Sequence, residues 1–142
     1  MRAWLNQKIE VRPSPIEGQG LFAKEPIARG EQLTRNGEDD YVTMTDAEFE
    51  AFTKTATSYD AVALGNGLHR VSTVSRDQDP SNYGNHSCDP NADTNAEGLV
   101  AIRDIKADEE ITCDYALHSS KSWSMICNCG TQNCRKIVRG VV

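Results

Sequence analysis

The chain has 142 residues, and its 15 Lys and Arg against 21 Asp and Glu give a formal net charge of −6 at pH 7. This length fits a single domain that can bury a core without disulfides. The acidic balance argues against sequence-independent nucleic-acid binding, which needs a basic face, and it suits a basic partner better. The longest central apolar run, residues 99–102, is too short for a membrane span, and residues 1–8 lack the apolar stretch of a secretory signal.

These features predict an intracellular protein, in the cytoplasm or the nucleus, which is the host nucleus if the chain is a viral or bacterial effector. No membrane partner and no direct nucleic-acid partner are expected. In a reducing compartment, five cysteines need an explanation other than disulfides.

Short strands dominate the start of the chain. Residues 9–12 alternate apolar and charged side chains, as a half-buried strand does. Residues 21–23 and 32–35 are further predicted strands, separated by a turn at residues 28–31. Residues 36–40 form a polar, acidic loop.

One helix is predicted. Thr45 and Glu48 have the spacing of a capping box, in which each side chain hydrogen-bonds the backbone N–H of the other. The helix follows over about residues 46–54, and its spacing places Phe49 and Phe52 on one face.

The second half again favours strands. Residues 65–67, Gly-Asn-Gly, predict a hairpin turn between strands at residues 59–64 and 68–74. Residues 98–103 and 110–115 are further predicted strands. Because strands and helices do not alternate, the pattern predicts a mostly-β, α+β domain and not a doubly wound sheet.

Three cysteines cluster in the tail at Cys127, Cys129 and Cys134, with Gly130 permitting a tight turn. Thiolates are the ligands that tetrahedral zinc prefers. The alternative, a set of free buried thiols, is disfavoured because the surrounding tail is polar. The fourth ligand has four candidates on residue chemistry alone: Cys88, Cys113, His86 and His118.

Three other segments have plain structural explanations when each is taken alone. Residues 85–91, Asn-His-Ser-Cys-Asp-Pro-Asn, form a polar turn-rich loop, residues 109–115 an edge strand, and residues 18–20, Gly-Gln-Gly, a simple loop. Together with the cysteine cluster, and in this order, they resemble the SET-domain protein lysine methyltransferases. The resemblance extends over residues 9–138 and includes the family's Asn-His-Ser-Cys-x-Pro-Asn motif in full.

The resemblance implies a mostly-β (α+β) SET fold of short twisted sheets with a pseudoknot and a C-terminal post-SET zinc knot. It implies a SET domain over residues 1–117, with a helical insert at about residues 45–66, and a post-SET zinc-binding segment over residues 118–142. It also implies S-adenosylmethionine as the methyl donor and the ε-amine of a lysine in a basic protein, such as a histone, as the acceptor.

Residue roles carry over by position in the matched motifs. Tyr115 is the implied catalytic tyrosine, and Cys88 is the implied fourth ligand of a structural zinc ion. The complete implied metal set is Cys88, Cys127, Cys129 and Cys134. The implied cofactor-binding set is Gly18, Gln19, Gly20, Tyr83, Asn85, His86 and Val138.

The chain departs from the family at two active-site positions. Cys113 stands where family members usually carry Phe or Tyr, and this smaller side chain predicts a roomier pocket that permits di- or trimethylation. The family's early tyrosine has no counterpart in residues 33–38, and Tyr41 is the nearby candidate. In the tail, Trp123 is either a residue that covers the site or a packing aromatic.

Three functions compete at this point. The first is a protein-lysine N-methyltransferase that depends on S-adenosylmethionine. The second is a catalytically weak SET-like module that binds a peptide and has a structural zinc. The third, a zinc-binding structural domain without a donor site, is disfavoured by the intact motif at residues 85–91. A domain this small leaves substrate recognition to itself or to a homodimer.

Overall fold

The computed structural model describes residues 2–142, in which short strands accompany one α-helix, α1, at Asp46–Thr55, and two 3₁₀ helices, at Pro80–Tyr83 and Tyr115–His118. The strands are β1 Trp4–Leu5, β2 Ile9–Pro13, β3 Gln19–Ala23, β4 Thr34–Arg35, β5 Tyr41–Thr45, β6 Ala61–Gly65, β7 Leu68–Ser72, β8 Asn85–His86, β9 Ala92–Thr94, β10 Leu99–Ala101, β11 Glu110–Cys113, β12 Ser124–Ile126 and β13 Ile137–Arg139.

The central sheet has the strand order β2-β3-β11-β8. Strands β2, β3 and β11 are antiparallel neighbours, whereas β8 pairs with β11 in parallel. This parallel pairing sets Thr112 opposite Asn85 and Cys113 opposite His86. The motif at residues 85–91 therefore lies beside the end of β11, where Tyr115 follows.

The main core combines the central sheet with β9, β10 and two loops. Leu21 and Ile111 face each other on β3 and β11, and both are fully buried. Ile27 and Ile105 join two loops to this core through an antiparallel bridge. Burying each such side chain contributes about 1.5–3 kcal/mol, so this core holds the central sheet together.

Strands β5, β7 and β6 form a separate three-stranded insert sheet, which α1 accompanies. The predicted capping box is confirmed, because Thr45 Oγ1 accepts from Glu48 N at 3.2 Å and Glu48 Oε1 accepts from Thr45 N at 3.2 Å. The ring of Phe49 stacks on His69 of β7 with centroids 4.1 Å apart. One face of the insert sheet is therefore covered by the helix.

The predicted fold class, mostly β with one helix, is confirmed, although several strand boundaries differ. The strand expected at residues 32–35 is reduced to Thr34–Arg35, with a single bridge from Gln32 to Val100. Strand β5 begins directly after the expected acidic loop. Its side chains are mostly exposed or half-buried, so it lacks the apolar alternation that indicates a strand.

The tail also contains more regular structure than its sequence indicates, since β12 and β13 form an antiparallel pair. In residues 2–142, no helix is long and apolar enough to cross a bilayer, and the single α-helix has 10 residues.

Asp79 links the insert sheet to the segment that leads into β8. Its side chain is 1% exposed and accepts hydrogen bonds from the Tyr41 hydroxyl, from Ser81 Oγ at 2.6 Å and from Ser81 N at 3.2 Å. Because Tyr41 belongs to β5 and Ser81 to the 3₁₀ helix at Pro80–Tyr83, one carboxyl group fixes two elements.

We expect Asp79→Ala to lower the free energy of unfolding by about 3 kcal/mol, because each buried donor left without a partner costs about 1–3 kcal/mol. Urea unfolding followed by circular dichroism measures this change. The exposed loop residue Asp39 provides the matched control, and Asp39→Ala should change stability by less than about 0.5 kcal/mol. Equal stabilities of the two variants would show that Asp79 does not hold these elements together.

Candidate functional site

Tyr115 is held by hydrogen bonds at its backbone and at its side-chain hydroxyl. It is the first residue of the 3₁₀ helix Tyr115–His118, and the preceding Asp114 caps this helix by accepting from Ala116 N at 3.0 Å. Its backbone N donates to His86 Nδ1 at 3.0 Å, and its hydroxyl donates to the Gly84 carbonyl oxygen at 2.6 Å. The ring position is therefore set by Gly84 and by His86 of β8.

The Tyr115 side chain lines a cavity of about 530 Å³. One wall is the insert sheet, which contributes Tyr41, residues 60–64 and Arg70. Cys113 also lines the cavity, so the structure brings both predicted residues of the reaction pocket to the same space. The remaining lining residues include Asn36, Tyr59, Arg76, Ser81, Asn82, Gly84, Thr94, Leu99, His118, Ser119 and Trp123.

Burial determines the ionisation of the two predicted pocket residues. The Cys113 side chain is 9% exposed, and burial, helped by Asp93 and Asp114, raises its thiol pKa to about 12. Burial likewise raises the pKa of the Tyr115 hydroxyl, and Cys113 adds to the shift. Both groups are thus neutral at physiological pH, and Tyr115 can act as a hydrogen-bond donor.

The glycine loop at residues 18–20 lies against Asn85. Asn85 Nδ2 donates to the carbonyl oxygens of Glu17 and Gln19 at 3.0 and 3.1 Å, and to Glu110 Oε2 at 2.9 Å. A Cβ at Gly20 would meet Glu110 Oε2 at 2.4 Å, so a larger residue would displace a carboxylate that is also bonded to Ser14 and Asn85.

Two groups in this cluster remain open to a ligand. Gly18 has φ +43 and open space at its Cα, so its main chain is accessible. Within residues 2–142, Asn85 Oδ1 forms no hydrogen bond, and it retains contact with solvent. A free carbonyl oxygen beside open glycine backbone fits the ammonium and carboxylate of an amino-acid group, which is one end of S-adenosylmethionine.

His86 connects the cysteine cluster with Tyr115. Its side chain is 2% exposed, and this burial lowers its pKa despite the nearby Asp114. Because Nδ1 accepts from Tyr115 N, the proton of the neutral ring belongs on Nε2, which lies 3.5 Å from Cys88 Sγ.

The four predicted metal ligands lie together. The sulfur atoms of Cys88, Cys127, Cys129 and Cys134 are all within 4.8 Å of one another, and those of Cys88 and Cys127 are 3.8 Å apart. Tetrahedral zinc with Zn–S bonds of about 2.3 Å needs sulfur–sulfur distances of about 3.8 Å. The donor set therefore fits a closed zinc site that joins residues 39 positions apart in the chain.

Backbone and side-chain N–H groups surround these sulfurs, as thiolate ligands require. Cys129 N lies 3.4 Å from Cys127 Sγ, and Lys136 N lies 3.4 Å from Cys134 Sγ. Arg135 Nε lies 3.3 Å from Cys88 Sγ. These donors partly neutralise the negative charge that four thiolates bring.

The remaining predicted residues have diverse surroundings. The Tyr83 hydroxyl donates to Asp77 Oδ1 at 2.7 Å. Val138 is fully buried in the small core of the cysteine knot, whereas its neighbour Ile137 is 51% exposed. The ring centroid of Trp123 lies 6.3 Å from that of Tyr115, at the cavity wall. None of the predicted cofactor-binding residues lines the cavity. Asn85 and the glycine loop lie together, whereas Val138 belongs to the core of the cysteine knot.

Sequence reasoning missed two features of the cavity. The Gly84 carbonyl that holds Tyr115 is a main-chain group, which no side-chain pattern in the sequence indicates. Arg70 lines the cavity because of how β7 is aligned with β5 and β6 in the insert sheet. The alignment of strands that are distant in the chain gives no local sequence signal.

Residues 18–116 match the family described as the SET domain, which is well over half of the chain, and the chain therefore belongs to the SET-domain family. Histone-lysine N-methyltransferase 2B of Homo sapiens is 30% identical over 147 residues, covering 93% of this chain and 5% of that protein. The H3 lysine-36 specific histone-lysine N-methyltransferase of Homo sapiens is 28% identical over 140 residues, covering 89% of this chain and 5% of that protein. The chain thus spans a small fraction of these relatives.

Among solved structures, the methyltransferase domain of human histone-lysine N-methyltransferase SETMAR has the same fold. It superposes with a TM-score of 0.68 and 22% identity, covering 96% of this chain and 59% of that chain.

Proposed function

We propose that this SET domain is a protein-lysine N-methyltransferase that transfers a methyl group from S-adenosylmethionine to a lysine ε-amine of a basic protein such as a histone. The position of Tyr115 carries this proposal. Its neutral hydroxyl donates to the carbonyl oxygen of Gly84, the residue before Asn85, at the wall of a cavity of about 530 Å³. Relatives named histone-lysine N-methyltransferases support the same reaction class.

The donor would be held by the glycine loop and β8. The open main chain of Gly18 and the free Oδ1 of Asn85 suit its amino-acid end, with the close-packed Gly20 beside them. The family resemblance assigns the backbone of His86 to its adenine. Gln19, Tyr83 and Val138 complete the proposed set. When bound, S-adenosylmethionine supplies an electrophilic methyl group on a positively charged sulfur.

The cavity would prepare the lysine for in-line attack. Its wall includes the apolar side chains of Val62 and Leu99 beside Cys113, and such surroundings lower the pKa of an amine and favour its neutral, nucleophilic form. The Tyr115 hydroxyl and the Gly84 carbonyl are fixed dipoles at the reacting end, so they orient the amine without reorganisation. The high pKa of Tyr115 makes it an orienting group and not a base.

The four cysteines would hold a structural zinc ion. A site closed by four protein ligands has no open position for substrate, so its contribution is to fold the tail. Here it fixes Cys88 relative to the tail, and His86 passes that restraint to Tyr115.

The direct test is mass spectrometry of core histones and of a cell lysate after incubation with S-adenosylmethionine. The wild-type chain should add methyl groups to lysine, each seen as a mass increase of about 14 Da. Tyr115→Phe should slow this methylation about 10-fold or more, which corresponds to about 1.4 kcal/mol in activation free energy. Trp4→Phe, an aromatic change on an exposed strand outside the cavity, is the matched control. If no lysine gains mass in a Tyr115-dependent way, the chain is a peptide-binding module.

Cys113 gives a prediction about the product. Its small side chain leaves room for a methylated amine to re-enter, so we expect the wild type to form di- or trimethyl-lysine. Cys113→Tyr should restrict the product to monomethyl-lysine, because the larger ring occupies that space, whereas Cys113→Ala should leave the product range unchanged. Intact-mass time courses on one peptide measure this, with circular dichroism to verify folding. A wild type that stops at monomethyl-lysine would contradict the expectation.

A further inference from the structure

The cavity has a positive lining in a chain whose net charge is −6. Its charged lining side chains include Arg70, Arg76 and Asp60. Arg76 and Asp60 form a bidentate pair, with Nε–Oδ2 and Nη2–Oδ1 distances of 3.0 and 2.7 Å. Arg70 has no carboxylate partner within residues 2–142, so one positive charge of the lining remains uncompensated.

The Arg70 side chain is held in place without using its hydrogen-bond donors. Its guanidinium carbon lies 4.1 Å from the centroid of the Tyr41 ring, and the Tyr41 hydroxyl is in turn bonded to the buried Asp79. Stacking engages the flat face of a guanidinium and leaves its in-plane N–H groups available. No side-chain hydrogen bond from Arg70 forms within the described part of the chain. Arg70 is thus a preorganised site for an anion.

The location of Arg70 in the sheet indicates which part of a substrate it would meet. Arg70 lies opposite Val62 of β6, and opposite residues share a face of the sheet. Strand β6 is an edge of the insert sheet, and residues 60–64 line the cavity. An extended peptide that adds to this edge would lie about 10 Å from β7, a distance that an arginine and an acidic side chain span together.

We propose that Arg70 selects substrates in which an Asp or Glu stands two residues from the target lysine, and this inference rests on the proposed methyltransferase function. The spacing follows from strand geometry. The lysine must point into the cavity, and residues two positions away point to the same side of an extended chain. A Lys or Arg at that position is disfavoured, because it would face the uncompensated charge of Arg70.

This local selection is compatible with a basic substrate protein. The net negative charge of the chain acts at long range and favours encounter with a positively charged partner. Arg70 acts only at contact, through charge-assisted hydrogen bonds to one carboxylate. The proposed substrate is therefore a lysine with an acidic neighbour inside a basic protein.

The test compares short peptides that share one target lysine and differ only in the residue two positions before or after it, which is Glu, Gln or Lys. The wild type should favour Glu over Gln by about 10-fold in kcat/KM at one of the two positions, as expected for a charge-assisted pair, and should use the Lys peptide least. Arg70→Gln should abolish the preference, and Arg70→Glu should reverse it in favour of Lys.

Arg35→Gln is the matched control. Arg35 also stacks on an aromatic ring, with its guanidinium carbon 4.7 Å from the centroid of Trp4, but it does not line the cavity. This variant should retain the wild-type preference. Equal use of the three peptides by the wild type at both positions, or an unchanged preference in Arg70→Glu, would overturn the inference.

Fluorescence anisotropy with the same labelled peptides separates this inference from the function on which it rests, because it needs no turnover. If binding favours Glu through Arg70 but no peptide is methylated, Arg70 is a specificity residue and the proposed reaction is wrong. If methylation depends on Tyr115 but neither binding nor rate responds to the acidic residue, the reaction stands and the role of Arg70 is wrong.

Discussion

The buried ring of His86 is the contact on which the site depends. Its Nδ1 accepts the backbone N–H of Tyr115 at 3.0 Å, while its Nε2 lies 3.5 Å from Cys88 Sγ. The first contact needs the neutral ring, because only an unprotonated Nδ1 can accept, and burial favours that form by lowering the pKa of His86. The cysteine knot and the predicted catalytic tyrosine therefore cannot move independently of each other.

A second set of contacts reaches Tyr115 from the insert sheet. The Asp79 carboxylate accepts hydrogen bonds from the Tyr41 hydroxyl and from Ser81 in the 3₁₀ helix that leads to Gly84. The Gly84 carbonyl oxygen in turn accepts from the Tyr115 hydroxyl at 2.6 Å. Tyr41 also carries the stacked guanidinium of Arg70. The wall that would recognise substrate and the group that would orient the amine thus share one hydrogen-bonded support. If the chain acts as proposed, reaction and selection would be coupled through these few buried polar groups.

Local chemistry explains which features could be predicted from the sequence. The capping box of Thr45 and Glu48 and the hairpin turn at residues 65–67 involve residues close in the chain, and the predicted helix of residues 46–54 is found at Asp46–Thr55. The grouping of Cys88 with the tail cysteines came from the family motif, because spacing alone left four candidate ligands.

What could not be predicted depends on contacts between distant segments or on the main chain. The place of Arg70 requires the register of three strands, and the Gly84 carbonyl has no side chain to signal its role. The most direct measurement is fluorine NMR of the chain labelled with fluorotyrosine, with zinc content measured in parallel. We predict one zinc ion per chain. Removal of this ion by a chelator should shift or broaden the Tyr115 resonance, whereas the resonance of Tyr41, which is held by Asp79, should stay unchanged. An unchanged Tyr115 resonance after zinc is lost would contradict the coupling through His86.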